Sequence, residues 1–382
     1  MSTQVQVKPG TIAAPEQTLG EVHALRELLA LSTRGLAQMV DPATGLFCHR
    51  LVATKNRLQR EGISPRYTAM TLLGLHQMQA AGQPASLDIQ SCYRSLIRHT
   101  TWIQGVGDLG LLLWVTAALD PERTRDFLRD FDCGSALARY SDARAARTME
   151  LAWFLTGLVY AARTCPELAG TLTDLCLATY RRMERNQGPF GLFGHMGVTE
   201  SLAGRLRGYV GSFADQVYPI LALSKLATLL QEQEPLDAAM RCARAICELQ
   251  GTYGQWWWQY DSRTGRVASE YPVYSVHQHG MAPMALFAAE EASGTSFHVS
   301  VTGGLRWIFG ENERAADMRD PERALVWRCM APQGQGRYYR AAMHALGRDR
   351  TSSQNLAILH EQRPYEFGWL LFAFAGKAYP AA

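Results

Sequence analysis

No apolar run in this chain is long enough to cross a membrane; its hydrophobic stretches are short and broken by polar residues. The first residues, Met1 to Glu16, lack the apolar region of a secretory signal and read as a loose arm over 1–18, so a cytoplasmic protein is expected. Eight cysteines are scattered without a CxxC pair, the pattern of small reduced core residues. A zinc site needs clustered Cys and His, and no such cluster is visible, so neither metal nor cofactor is expected. The net charge is only +3, too small to argue for nucleic acid. No β-rich stretch rivals the helical ones in length.

What the chain does have is apolar mass and helical periodicity. Its 382 residues are 47% hydrophobic and 19% charged, ample for a large core. Two kinds of helix alternate. Segments 19–39, 87–100, 122–138, 168–186, 235–250 and 297–309 are amphipathic and suit an outer ring. Segments 66–80, 107–119, 147–163, 213–230, 275–291 and 365–377 are apolar nearly all round and must be buried, as an inner ring would be. Six hairpins in strict alternation predict an all-α (α/α)6 toroid, a single domain over 19–382.

The links are asymmetric. Inner-to-outer links are short, whereas 41–65, 187–212, 251–274 and 310–364 are long, aromatic and glycine-rich. Long loops in compact domains are usually functional, and all four leave the same end of the barrel. That end also carries the inner-helix N-termini, with their free N–H groups and positive dipole ends. The outer-to-inner loops together hold more positive charge than the whole chain's +3, so an electropositive mouth and an anionic ligand are expected.

The densest segment is 250–284, QGTYGQWWWQYDSRTGRVASEYPVYSVHQHGMAPM. Trp256, Trp257 and Trp258 suit a sugar platform or a shield for a hydrocarbon. Tyr260 and Asp261 open a turn, Tyr271 and Tyr274 follow, and Ser275 is a plausible N-cap. His277 and His279 lie in the first helical turn; i and i+2 do not share a face, so at most one points inward, whereas Tyr274 and His277 can share one. Histidine and tyrosine are the types proton transfer needs. Five inner helices begin with a charged residue: Arg66 (beside Tyr67), Asp108, Glu150, Asp215 and Glu366. Acids there are explained by capping and the dipole, but Arg66 asks for an anionic partner. A repeated GLF-x-H places Phe193 with His195, and Phe47 with His49, after outer helices, as a hairpin repeat would.

The alternation resembles the broad (α/α)6 toroid group over about residues 19–377. That group includes six-hairpin glycosidases, polysaccharide lyases, N-acylglucosamine 2-epimerases and the terpenoid cyclase and prenyltransferase folds. The segment from Trp256 to Leu286 also resembles the aromatic-YD…Y-x-x-x-H segment of glucuronyl C5-epimerases, which implies Tyr260, Tyr271 or Tyr274 in proton exchange. The reading that follows is a carbohydrate-active enzyme using acid/base chemistry on an anionic sugar or oligosaccharide, as epimerase, lyase or hydrolase. His277 or His279 and Tyr274 would exchange protons, Asp215 and Glu150 would be their carboxylate partners, and Arg66 would clamp the anion. A terpenoid cyclase-like or prenyl diphosphate-binding enzyme is the alternative, although the DxDD and DDxxD motifs are absent. A non-catalytic glycan-binding toroid is the third reading.

Overall fold

The computed structural model describes residues 19–54, 57–84, 87–98, 100–139, 147–197, 208–333 and 355–379. The arm read over 1–18 lies outside the described residues, as do parts of three of the mouth loops.

The inner helices form where the sequence is apolar on every face. They span Pro65–Ala80, Val106–Leu119, Thr148–Thr164, Ala214–Leu230, His277–Ser293 and Pro364–Ala378. In Val106–Leu119 every residue except Ala118 is buried, which no surface helix could sustain. Each inner helix packs on the next, and the sixth returns to the first, closing the ring. The closing contact is backbone on backbone. A Cβ on Gly74 would sit 2.0 Å from the Gly368 carbonyl oxygen, so only glycine permits this approach. The amphipathic helices lie outside. The first, Leu19–Ala37, packs on the sixth inner helix, with Arg26 Nε donating to the Ala378 carbonyl at 3.0 Å.

Two expected helices are interrupted. Segment 122–138 is two short helices, Thr124–Asp130 and Cys133–Arg139. Asp132 is the cause: its carboxylate accepts the backbone N–H and hydroxyl of Ser135 at 2.8 and 2.5 Å and so caps a new helix. The fifth inner helix opens as a π turn, His277–Met281, before continuing as Ala282–Ser293. Pro283 has no N–H to offer the His279 carbonyl, and the Ala282 N–H bonds back to the His277 carbonyl instead.

The long loops carry short strands that stitch them together at one end of the ring. Cys48–Ala53 pairs with Leu58–Ile63 and with Glu361–Gln362, joining the first and last loops. Val210–Ser212 pairs with Gln259–Asp261, and Val273–Tyr274 with Cys329–Pro332. Among the described residues no helix is long and apolar enough to cross a membrane.

Candidate active site

The inner-helix N-termini and the stitched loops enclose a cavity of about 310 Å³. Arg66 enters it from the first turn of the first inner helix, which Ser64 caps by accepting the Tyr67 N–H at 3.2 Å. The Arg66 Nε donates to Asp108 Oδ1 at 2.7 Å, and Asp108 Oδ2 accepts the Gln104 N–H at 3.1 Å. Asp108 is buried behind the arginine, so it holds the guanidinium rather than facing the cavity. Among the described residues neither Nη group of Arg66 has a hydrogen-bond partner. A planar pair of donors therefore remains for a ligand, the geometry that matches a carboxylate.

Much of the remaining lining is aromatic. Trp258, Tyr274 and His277 all line the cavity. Tyr274 lies 5.0 Å from Trp258 and 5.1 Å from His277 by ring centroid, and Phe213 packs 4.4 Å behind the histidine. Burial pushes the His277 pKa down to about 3; a hydrogen bond to the Trp256 backbone opposes the shift, and the Arg328 charge adds to it. The imidazole is therefore neutral at neutral pH, and its Nδ1 is buried without a partner.

Arg328 was not singled out from the sequence. Pairing of Tyr274 with Cys329, and the Ser275 N–H donating to the Arg328 carbonyl at 2.9 Å, set it beside Tyr274. Its guanidinium lies 5.1 Å from the Tyr274 ring centroid. Glu361 holds its Nε at 3.2 Å; Glu366 approaches Nη1 at 3.4 Å, but the angles leave both of those atoms without a proper hydrogen bond. That second contact is an ion pair without a hydrogen bond. Burial raises Glu366 to about 7, against the pull of Arg328. The signal for Arg328 was a charge inside an apolar strand run, LVWRCM.

The remaining expected residues divide clearly. Tyr67 lines the cavity, and its hydroxyl accepts from Arg363 Nη1 at 2.8 Å. Asp215 stands one layer back: Oδ1 accepts the Met149 N–H at 3.2 Å, and Oδ2 meets Ser212 N and Oγ at 2.9 Å and His195 Nδ1 at 3.1 Å. It ties a strand, a helix start and a loop together. Glu150 is bound to Arg147 at 3.1 Å and is not part of the wall. Of the two histidines only His277 reaches the cavity; His279 is fully buried with both ring nitrogens unpartnered. Trp256, Tyr260 and Phe193 are core residues, the Tyr260 hydroxyl accepting the Trp257 N–H at 3.1 Å. Trp257 packs on Tyr271, whose hydroxyl meets Glu313 at 3.3 Å, and Asp261 pairs with Arg263 in its turn. Among the described residues no group of three or more His, Cys, Asp or Glu is placed to hold a metal ion.

No protein family's sequence profile matches the chain, and no curated protein matches it either. Solved structures do. Cellobiose 2-epimerase from Bacillus thermoamylovorans aligns at TM-score 0.66 and 10% identity over 94% of this chain and 100% of its own. The chain is an (α/α)6 toroid. A possible member of the GH105 family from Klebsiella pneumoniae aligns at 0.60 and 12% over 98% and 99%. An unsaturated glucuronyl hydrolase from Bacillus sp. GL1, responsible for the degradation of glycosaminoglycan, aligns at 0.58 and 13% over 93% and 96%. At such identities the likeness fixes the toroid, not the chemistry.

Proposed function

We propose that the toroid is a carbohydrate-active enzyme that binds an anionic sugar in this cavity and moves a proton on it. The observation that carries the reading is one small cavity lined by Arg66, with its open Nη pair, and by Tyr274 and His277. The sugar-acting neighbours support the substrate class, and the glucuronyl hydrolases among them suit an acidic sugar.

In this reading the Arg66 Nη pair takes the sugar carboxylate. The His277 imidazole accepts the proton from the adjacent carbon, and the electron pair moves onto the carboxylate oxygens that Arg66 holds. A bound anion favours the protonated imidazole, which offsets the desolvation that keeps it neutral in the free enzyme. The Tyr274 phenol, with Arg328 over its ring, returns a proton, to the same carbon in an epimerisation or to the departing oxygen in an elimination. Hydrolysis by two facing carboxylates is less supported, because Asp108 and Asp215 are both engaged behind the wall. The prenyl diphosphate alternative calls for a closed apolar chamber, whereas this cavity carries two guanidinium groups and a histidine.

The test is binding of glucuronate against glucose to wild type and to Arg66→Met. Removing two charged hydrogen bonds of about 1.5–3 kcal/mol each should weaken glucuronate by about a hundredfold to ten-thousandfold and leave any glucose binding unchanged. Equal loss for both sugars, or tight binding of geranyl diphosphate instead, would reject the assignment.

A further inference from the structure

The cavity holds about 310 Å³, at the small end of ligand pockets, so a longer glycan has to leave it across the rim. One stretch of rim continues the aromatic lining outward. The Tyr67 ring lines the cavity, and the exposed His49 ring stacks on it at 5.2 Å and 22°. Among the described residues, His49 is the one exposed ring stacked on a ring of the cavity wall. Tyr67 is held from behind by Tyr365 at 4.6 Å and by the Arg363 bond to its hydroxyl, so the ledge is preorganised. His49 sits on the hairpin of the first loop opposite Gly62, where an added Cβ would lie 3.2 Å from His49 Cβ. The bare cross-strand position leaves room for a ring. Of the nearby cations, Arg50 is taken up by Glu61 and Glu361, and Arg363 by Glu361 and the Tyr67 hydroxyl.

We propose that the His49–Tyr67 ledge is a second sugar-ring subsite, so that the ligand is an acidic oligosaccharide whose terminal uronate enters the cavity while the next ring lies on the ledge. The proposal rests on the sugar reading above. Burial, followed by the charges of Arg363, Arg50 and Arg328, lowers the His49 pKa, so the ledge is an uncharged face at neutral pH. Such a face suits the apolar side of a pyranose better than it suits a second anion.

Calorimetric titration would use glucuronate, galacturonate and mannuronate as monomers, dimers and trimers. For the uronate that binds, the dimer should bind wild type at least tenfold more tightly than the monomer, with little further gain for the trimer. His49→Ala should lose that gain and keep monomer affinity, and His49→Trp should restore it, with melting curves confirming that both variants fold. Equal affinity for monomer and dimer in wild type, or an equal loss for both in His49→Ala, would overturn the subsite while leaving the sugar reading standing. Binding of no uronate of any length would overturn both.

Discussion

His279 makes the sharpest test of the core. Its ring is fully buried with both nitrogens unpartnered, and burial pushes its pKa from 6.5 down to about 3. The folded state keeps it neutral where the unfolded chain takes up a proton. Its contribution to stability is therefore present above pH 6.5 and is lost progressively as the pH falls toward 3. The loss amounts to about 1.4 kcal/mol per pH unit, or about 2 kcal/mol at pH 5. His277, also lowered to about 3, adds a loss of the same sign. Glu366 works the other way. Raised from 4.5 to about 7, it holds a proton in the fold that the unfolded chain releases, so its contribution is full below 4.5 and disappears as the pH rises through 7. Urea unfolding of wild type, His279→Leu and His279→Gln at pH 7, 6 and 5 isolates one residue against this background. Between pH 7 and 5 each variant should lose about 2 kcal/mol less than wild type, whatever its stability at pH 7. An identical acid loss in all three proteins would refute the claim that a buried, neutral His279 is part of the core.

Two further outcomes probe the scaffold. Gly74→Ala places a methyl against the Gly368 backbone and should lower stability by about 1–3 kcal/mol or more, seen as a reduced Tm with far-UV helicity retained below it. Arg328→Gln takes from the buried Glu366 its paired cation, while Arg50 and Arg363 stay on Glu361, and should cost about 3–5 kcal/mol in chemical denaturation; adding Glu366→Gln should recover part of that loss, and additive losses would show that the ion pair is not coupled.

The inner ring was readable because burial on every side leaves a continuous apolar run that no other helical environment tolerates. Val106–Leu119 and Pro364–Ala378 lie within a residue of the expected 107–119 and 365–377. The break at Asp132 was not foreseen, since an aspartate followed three residues later by serine looks alike inside a helix and at its start. Arg66 stood out as a cation at a helix N-terminus, where the dipole disfavours it, and it does face the cavity. Asp215 stood out only as a charge at an inner-helix start, where the dipole favours an acid, and four donors hold it behind the wall.

Periodicity and loop length, both local properties, were enough to declare the alternating helices, the end at which the long loops gather and the aromatic segment bearing Tyr274 and His277. Which carboxylates are occupied and which guanidinium edge stays open depended on contacts across tens to hundreds of residues. Arg66 meets Asp108 from another hairpin, and Arg328 reaches Tyr274 only because two loops pair as strands. Hydrogen-bond capacity is shared among whichever groups the closed ring brings within reach, and that partition is fixed only once the ring has closed.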